Sequence, residues 1–295
     1  MSGPSTALDE AFERLAASGF ELPNGFVNHG PMACEALAAL GCDDEVDLWA
    51  RRFARSGGIP VEPEVPANFE WREALGDGRR LPEWIGYFER MIADDGWNPV
   101  VAEWVPLLLP GMAVALFHGS IRAAHAVRAI DLADTEPRRA ELARALGYWA
   151  ARFEPGQRAD ETVLADDLRL AVSEVAADGA RRFVARPDIL RLHGVTGAMA
   201  VDLFVDHIPV PDAAAGLAQV RAEHAALYRG TGPAAGHGPV GVPPDELVRS
   251  AAKSGDPHEV KLVEACLRGL ALTGDPVFAA AAETVTGLGS TPAGS

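Results

Sequence analysis

Four of the eight histidines lie beside residues that start helices or make tight turns, mostly in apolar surroundings. They are His29, His118, His193 and His258. Imidazole is the commonest metal ligand among protein side chains, so these positions predict a metal site if the fold brings them together. Each histidine taken alone is more typical of a hydrogen-bonded core residue, and that interpretation stays open.

Lys261 follows His258 by three residues, on a helix whose start is marked by Asp256 as N-cap and Pro257 as first helical residue. Residues three apart share one helix face, so the two side chains project together. The chain has 26 basic residues, and the only lysines are Lys253 and Lys261. Because this chain otherwise uses arginine for positive charge, a lysine predicted at the border of the core indicates chemistry of the amine itself.

A buried lysine loses its proton readily, because burial disfavours the charged form. The neutral amine can add carbon dioxide and become a carbamate, which is an anionic oxygen ligand like Asp or Glu. Imidazoles with one carboxylate-like oxygen suit non-heme iron with an open position for dioxygen, and four histidines with a carboxylated Lys261 would be a variant of that set. The competing interpretation is a solvated Lys261 and histidines that only fill the core.

The pattern of apolar residues predicts a helical fold to position these side chains. Apolar residues recur at three- and four-residue intervals, and no strand pattern or βαβ rhythm is present. We predict an all-α, single compact domain over residues 1–295, with stacked helix pairs as one possible arrangement and 287–295 as a frayed tail. Loops rich in Gly and Pro at 56–68 and 230–244 are predicted to be irregular crossings or mobile covers. The predicted helices are 6–18, 31–40, 44–56, 81–94, 97–108, 111–131, 136–153, 160–176, 187–205, 212–228, 245–253, 257–272 and 276–286.

Charge and composition exclude several classes of function. The 295 residues carry a formal charge of −16, which disfavours nucleic acid and anionic membrane as partners. No signal peptide or membrane-spanning stretch is visible, and the three cysteines form no C-x-x-C pair. We therefore expect a cytoplasmic protein with free thiols. The sequence makes no prediction of oligomeric state.

The histidine segments, in order, resemble the questin oxidase-like family, and the likeness covers most of the chain. The segments that carry it are Asn28-His29-Gly30-Pro31, Glu35-Ala36-Leu37, Leu40-Gly41, Phe117-His118-Gly119-Ser120-Ile121-Arg122, Leu192-His193-Gly194-Val195-Thr196 and His258-Glu259-Val260-Lys261. Fungal members usually have a second histidine and a glycine-tyrosine step after the second ligand, where Arg122 and His125 occur here. The chain is also shorter than those relatives.

The resemblance implies an α-helical oxygenase that opens a ring of an anthraquinone-type polyketide, by Baeyer–Villiger oxidation or oxidative carbon–carbon cleavage. It implies Fe(II) held by His29, His118, His193 and His258, with Lys261 carboxylated as a further ligand and catalytic group. Thr196, one turn after His193, would then donate its hydroxyl to the carbamate. The implied reactants are a small aromatic polyketide and dioxygen, with NADPH as a candidate reductant.

Other interpretations of the same residues remain open at this point. His125 lies seven residues after His118 on nearly the same helix face, and we expect it near the site but not on the metal. One alternative function is a metal-free helical protein that binds a hydrophobic ligand or partner, and another is a metal-free NADPH-dependent Baeyer–Villiger oxidase. The glycines at 236, 238 and 241 match a dinucleotide fingerprint, but no strand precedes them and two prolines follow, so we predict no nucleotide loop there.

Overall fold

The computed structural model of the chain describes residues 4–22, 25–55, 58–66, 68–159, 167–232 and 238–289. Within these residues the fold is all-α, as predicted, and the only extended pairing is one isolated bridge between Glu21 and Val27. The α-helices are α1 (Pro4–Ala16), α2 (Gly30–Ala39), α3 (Asp43–Arg55), α4 (Trp71–Ala74), α5 (Leu81–Asp95), α6 (Trp97–Leu108), α7 (His118–Leu132), α8 (Glu136–Ala151), α9 (Leu168–Ala185), α10 (Ile189–Asp202), α11 (Val210–Leu227), α12 (Pro244–Ser254), α13 (Pro257–Thr273) and α14 (Val277–Val285).

Four helices form a closed ring at the centre of the molecule. Helix α2 contacts α7, α7 contacts α10, α10 contacts α13, and α13 contacts α2. Helices α8 and α9 pack on the outside of α7 and α10, and α14 packs on α13. The four ring helices are therefore largely enclosed, and one continuous apolar core surrounds them.

Two glycines allow the neighbours of α10 to approach closely. A Cβ atom on Gly197 would lie 2.6 Å from the ring of Phe117, and one on Gly194 would lie 2.0 Å from the Tyr228 hydroxyl. Both distances are shorter than van der Waals contact, so any larger residue would push α10 away from its neighbours. This packing explains why glycines follow His193 at helical positions without ending the helix.

The prediction of one helix over 111–131 was wrong. A short 3-10 turn at Leu109–Gly111 is followed by turns, and α7 begins only at His118. Ala115, Leu116 and Phe117 have φ of 48°, 56° and 64°, which is the left-handed region. None of these three left-handed residues is a glycine, so the apolar periodicity of the sequence predicted a helix that continued through the turn.

The predicted helix over 160–176 ended too early. Its residues 160–166 lie outside the described part of the chain, and α9 continues to Ala185. Gly179 lies inside α9, where a Cβ atom would lie 3.1 Å from Cε1 of His224. The helix ends instead just before Pro187, which cannot continue it.

The two predicted loops are irregular where they are described. In the second, the buried Glu283 carboxylate accepts hydrogen bonds from the backbone N–H groups of residues 240–242, at 2.6–2.8 Å. Residues 240–242 are therefore anchored to α14. Residues 290–295 of the predicted frayed tail lie outside the described residues. No described helix has the length and hydropathy needed to cross a membrane.

The left-handed turn before α7 yields a stability prediction at Ala115. Replacing Ala115 by glycine is expected to stabilise the metal-free protein by about 0.5–1 kcal/mol. The left-handed conformation costs an alanine about 1–2 kcal/mol, which exceeds the backbone entropy that glycine loses on folding. Urea denaturation should show a higher midpoint with an unchanged slope. Ala113→Gly, in the same turn but outside the left-handed run, should instead destabilise; equal effects of the two changes would refute this account of the turn.

Candidate metal centre

The fold brings the four predicted histidines together at one end of the helix ring. His29 is the N-cap of α2, His118 the first residue of α7, His258 the second residue of α13, and His193 lies in the second turn of α10. One nitrogen from each ring lies within 4.8 Å of the corresponding nitrogen of every other ring. Histidines from four different helices thus share one small volume.

Each ring is oriented by a hydrogen bond from its Nδ1 atom to an acceptor close by in sequence. His29 Nδ1 donates to the Val27 carbonyl at 2.6 Å. His193 Nδ1 donates to the Ile189 carbonyl at 2.8 Å. His118 Nδ1 donates to the Ala115 carbonyl, and His258 Nδ1 to the Asp256 carboxylate at 3.1 Å. A carbonyl only accepts, so in the rings of His29, His118 and His193 the Nδ1 atom carries a proton.

In these three rings the Nε2 atoms are therefore lone-pair acceptors that face one another. His118 Nε2 lies 2.8 Å from His29 Nε2 and 3.3 Å from His193 Nε2. Neutral rings with Nδ1 protonated have no proton to share across these contacts. A cation among the Nε2 atoms would satisfy all of them, and anchoring of the second ring nitrogen is the usual arrangement of metal-bound histidine. The donor set therefore fits a metal ion.

Electrostatics keep three of the rings neutral. Burial, followed by the positive charge of Lys261, lowers the pKa of His118 to about 3 and that of His193 to about 2. The same causes hold the pKa of His29 far below its ordinary value. Since only neutral imidazole binds a metal, these rings are ready to bind at neutral pH without losing a proton.

Lys261 is more deeply buried than the sequence indicated. We expected it at the border of the core, but its exposed fraction is 0%. Its Nζ atom is buried without a hydrogen-bond partner in the described structure. Burial lowers the pKa of Lys261 to about 7, so a large part of the amine is neutral at physiological pH. Lys261 lies one turn after His258 on α13, and its charge contributes to the lowered pKa of the three buried histidines.

The remaining predicted residues have other contacts. Thr196 is buried on α10, and its hydroxyl donates to the Leu192 carbonyl at 3.4 Å. His125 does not belong to the four-histidine group; its Nδ1 donates to the carboxylate of Glu35 on α2. The ring of His125 is thus held two turns along α7 from His118.

Two features of the site were missed at the level of sequence. Asp256 was predicted only as a helix cap, and it does accept from the backbone N–H of His258 at 2.9 Å, but it also orients the His258 ring. The second feature is a set of buried charges further along the same four helices, including Glu35, Arg128 and Glu264. For one of them the sequence held a signal, because Glu264 follows Lys261 by three residues and so shares its helix face.

Access to the centre is uneven. His29, His118 and His193 are buried, whereas the His258 side chain is 26% exposed. Small reactants would therefore reach the centre most directly beside His258. The chain matches no protein-family model, and a search of curated proteins finds no match. The resemblance noted from the sequence stays an expectation.

Proposed function

We propose that the protein is a non-heme iron oxygenase whose iron is held by His29, His118, His193, His258 and a carboxylated Lys261. The observation that carries the proposal is the convergence of four histidines, of which His29, His118 and His193 present unprotonated Nε2 atoms to one another. Three buried imidazoles with fixed tautomers, beside a half-buried fourth, are costly to assemble unless a cation occupies the space between them. A metal centre accounts for this arrangement, and a metal-free hydrophobic binding protein would not require it.

The anionic ligand is assigned to Lys261 because of its environment. The neutral amine adds to carbon dioxide, which forms a C–N bond and a carbamate whose oxygen carries the negative charge. The nitrogen releases one proton in this step. The first turns of α2, α7 and α13 point their positive ends at the histidines, and such ends favour an anion. The unpartnered Nζ would then gain an oxygen-bearing group that can bind the metal, with Thr196 as a candidate donor to it.

The oxygenase activity is proposed from the donor set together with the family resemblance. Iron with histidine and oxygen ligands supplies one-electron redox chemistry and an open position for dioxygen. The side chains of this protein orient the imidazoles, exclude water on the buried side and leave the His258 edge accessible. The proposed substrate is a quinone or anthraquinone-type polyketide, with NADPH as the candidate source of electrons.

Metal content is the direct test of the proposal. Protein purified anaerobically, loaded with Fe(II) and desalted should retain about one iron per chain, because the centre has one compact donor set. Elemental analysis measures the ratio. Clearly less than one equivalent of any transition metal after loading would contradict the proposal and favour the metal-free binding protein.

Oxygenase activity needs a separate measurement. Iron-loaded protein is expected to consume dioxygen with an anthraquinone-type substrate and NADPH, and chelator-treated protein is expected to be inactive until iron is restored. An oxygen electrode with mass analysis of the product measures both. Undiminished turnover by the chelator-treated protein would support the metal-free Baeyer–Villiger oxidase instead.

A further inference from the structure

A chain of buried ion pairs lies further along the helices that carry the histidines. Arg128 on α7 donates to Glu35 on α2, through Nε at 2.7 Å and Nη2 at 2.6 Å. The other terminal nitrogen of Arg128 donates to Glu264 on α13. Both carboxylates are almost fully buried, with side-chain exposure of 2% for Glu35 and 5% for Glu264.

The chain of ion pairs continues from α13 to α10. Arg268 donates through Nε to Glu264 at 3.0 Å, and through Nη1 to Asp202 at 2.5 Å and to the Met199 carbonyl at 3.0 Å. Asp202 is fully buried. We call Glu35, Arg128, Glu264, Arg268 and Asp202 the Arg128 network. It contains one or two charged residues from each of the four ring helices and joins all four.

The Arg128 network and the histidines occupy two levels of the same helix ring. On each helix the network residues follow the histidine by six to ten positions, which is about 9–15 Å along the helix axis at 1.5 Å per residue. Arg128 joins α7 to α13, which is not a neighbour of α7 in the ring order, so its guanidinium spans the interior. Each helix is thus fixed at one level by ion pairs and carries its ligand at the other.

We propose that the Arg128 network positions the metal centre, with Arg128 as the residue that sets the spacing of α2, α7 and α13. This proposal rests on the proposed metal site. Arginine presents its donors in a rigid planar fork, so two buried carboxylates on one guanidinium are held at a defined separation. Metal binding requires its ligands within a few tenths of an ångström of their positions, so a shift of one helix would weaken binding.

Stabilisation of the fold alone would also explain buried ion pairs, and the chain offers a matched control for it. Arg122 and Glu141 form a similar buried pair, with Nε to Oε1 at 2.7 Å and Nη2 to Oε2 at 2.9 Å. This pair joins α7 to α8, and α8 carries none of the four histidines. If the loss of any buried ion pair weakened metal binding, substitution of Arg128 and of Arg122 would both do so. A positioning effect should weaken binding only when Arg128 is substituted.

The test compares Arg128→Gln with Arg122→Gln in the full chain, using Co(II) alone as the probe under anaerobic conditions. We expect Arg128→Gln to weaken Co(II) binding about tenfold, at the low end of the range for residues that support metal ligands, and to shift the Co(II) d–d absorption bands. Arg122→Gln should leave the Kd for Co(II) and the absorption bands unchanged, even if its midpoint of thermal unfolding falls as far as that of Arg128→Gln.

A second variant protects the test against loss of folding. Arg128→Lys keeps the positive charge, but its single ammonium lacks the fork that holds both carboxylates, so its bands should shift in the same direction as those of Arg128→Gln. An unchanged Kd and spectrum in a folded Arg128 variant would overturn the positioning role, as would equal changes in Arg122→Gln. If wild-type protein bound no Co(II), the metal site itself would be refuted, and the positioning role with it.

Discussion

Replacing His118 by alanine is expected to lower the affinity for Fe(II) more than 100-fold. His118 Nε2 lies close to the Nε2 atoms of both His29 and His193, so it is the central donor of the group. Loss of residues that merely support metal ligands costs about 10–100-fold, and loss of a ligand should exceed that range. Anaerobic titration with Fe(II) against a competing chelator measures the affinity.

Stability provides an independent measurement of the same substitution. A metal that binds only the folded state stabilises it by about 4 kcal/mol when present at 1,000 times its Kd. Wild-type protein should gain roughly this amount on Fe(II) loading, whereas His118→Ala should gain little. His207→Ala removes an imidazole outside the four-histidine group and should behave like wild type. If His118→Ala kept the full gain, the metal would be bound elsewhere.

Much of the helical framework could be predicted because its signals are local. Asp256 and Pro257 mark the start of α13 within a few residues, so the register that puts His258 and Lys261 on one face followed from the sequence. The helix that carries His193 was also predicted, although two glycines lie within it. In both cases the apolar period and the cap agree, and tertiary packing reinforces them.

The turn before His118 could not be predicted, because its cause is not local. Three consecutive non-glycine residues adopt left-handed φ values there, against their intrinsic preference. The Phe117 ring packs against Gly197 of α10, and the Ala115 carbonyl accepts from the His118 ring. The conformation therefore depends on contacts with a helix about 80 positions later in the chain and with the candidate site.

The depth of Lys261 and the Arg128 network share a different reason for being missed. Whether a lysine on an amphipathic helix is exposed depends on which helices pack against that face, and the ring of α2, α7, α10 and α13 is formed by contacts distant in sequence. Charged residues such as Glu35 and Glu264 resemble ordinary solvated positions in the sequence. Their burial becomes apparent only when opposite charges from other helices are brought beside them.

Replacing Lys261 by methionine is expected to stabilise the metal-free protein by roughly 3–5 kcal/mol at pH 7, while metal binding is lost. Burial lowers the pKa of the Lys261 amine to about 7, against about 10.4 in an unfolded chain. Between these values the unfolded state binds a proton that the folded state does not, so the free energy of unfolding rises with pH across this window. Below pH 7 the buried amine lowers the free energy of unfolding by its full amount, and above about pH 10.4 this destabilisation disappears.

Methionine has a similar length and no charge, so it removes this penalty and fills the same space. The measurement is the difference in free energy of unfolding between Lys261→Met and wild type, from urea denaturation in chelator-treated, carbonate-free buffer. The difference should shrink as pH rises from 7 to 10, because the Lys261 amine of the unfolded chain also loses its proton over this range. Other titrating groups contribute equally to both proteins and cancel in the difference. Lys253→Met alters the only other lysine, which is exposed on α12, and should change stability by less than about 0.5 kcal/mol at any pH.

A Lys261→Met protein less stable than wild type at pH 7 would show that the amine has a stabilising partner and is not held at a cost. We expect Lys261→Met to be more stable than wild type, and this result is interpreted together with the loss of metal binding. A residue whose removal stabilises the empty protein and abolishes binding is retained for what it does in the loaded state. Ordinary core packing predicts destabilisation at such a position, so the two measurements together separate a ligand-bearing lysine from a misplaced one.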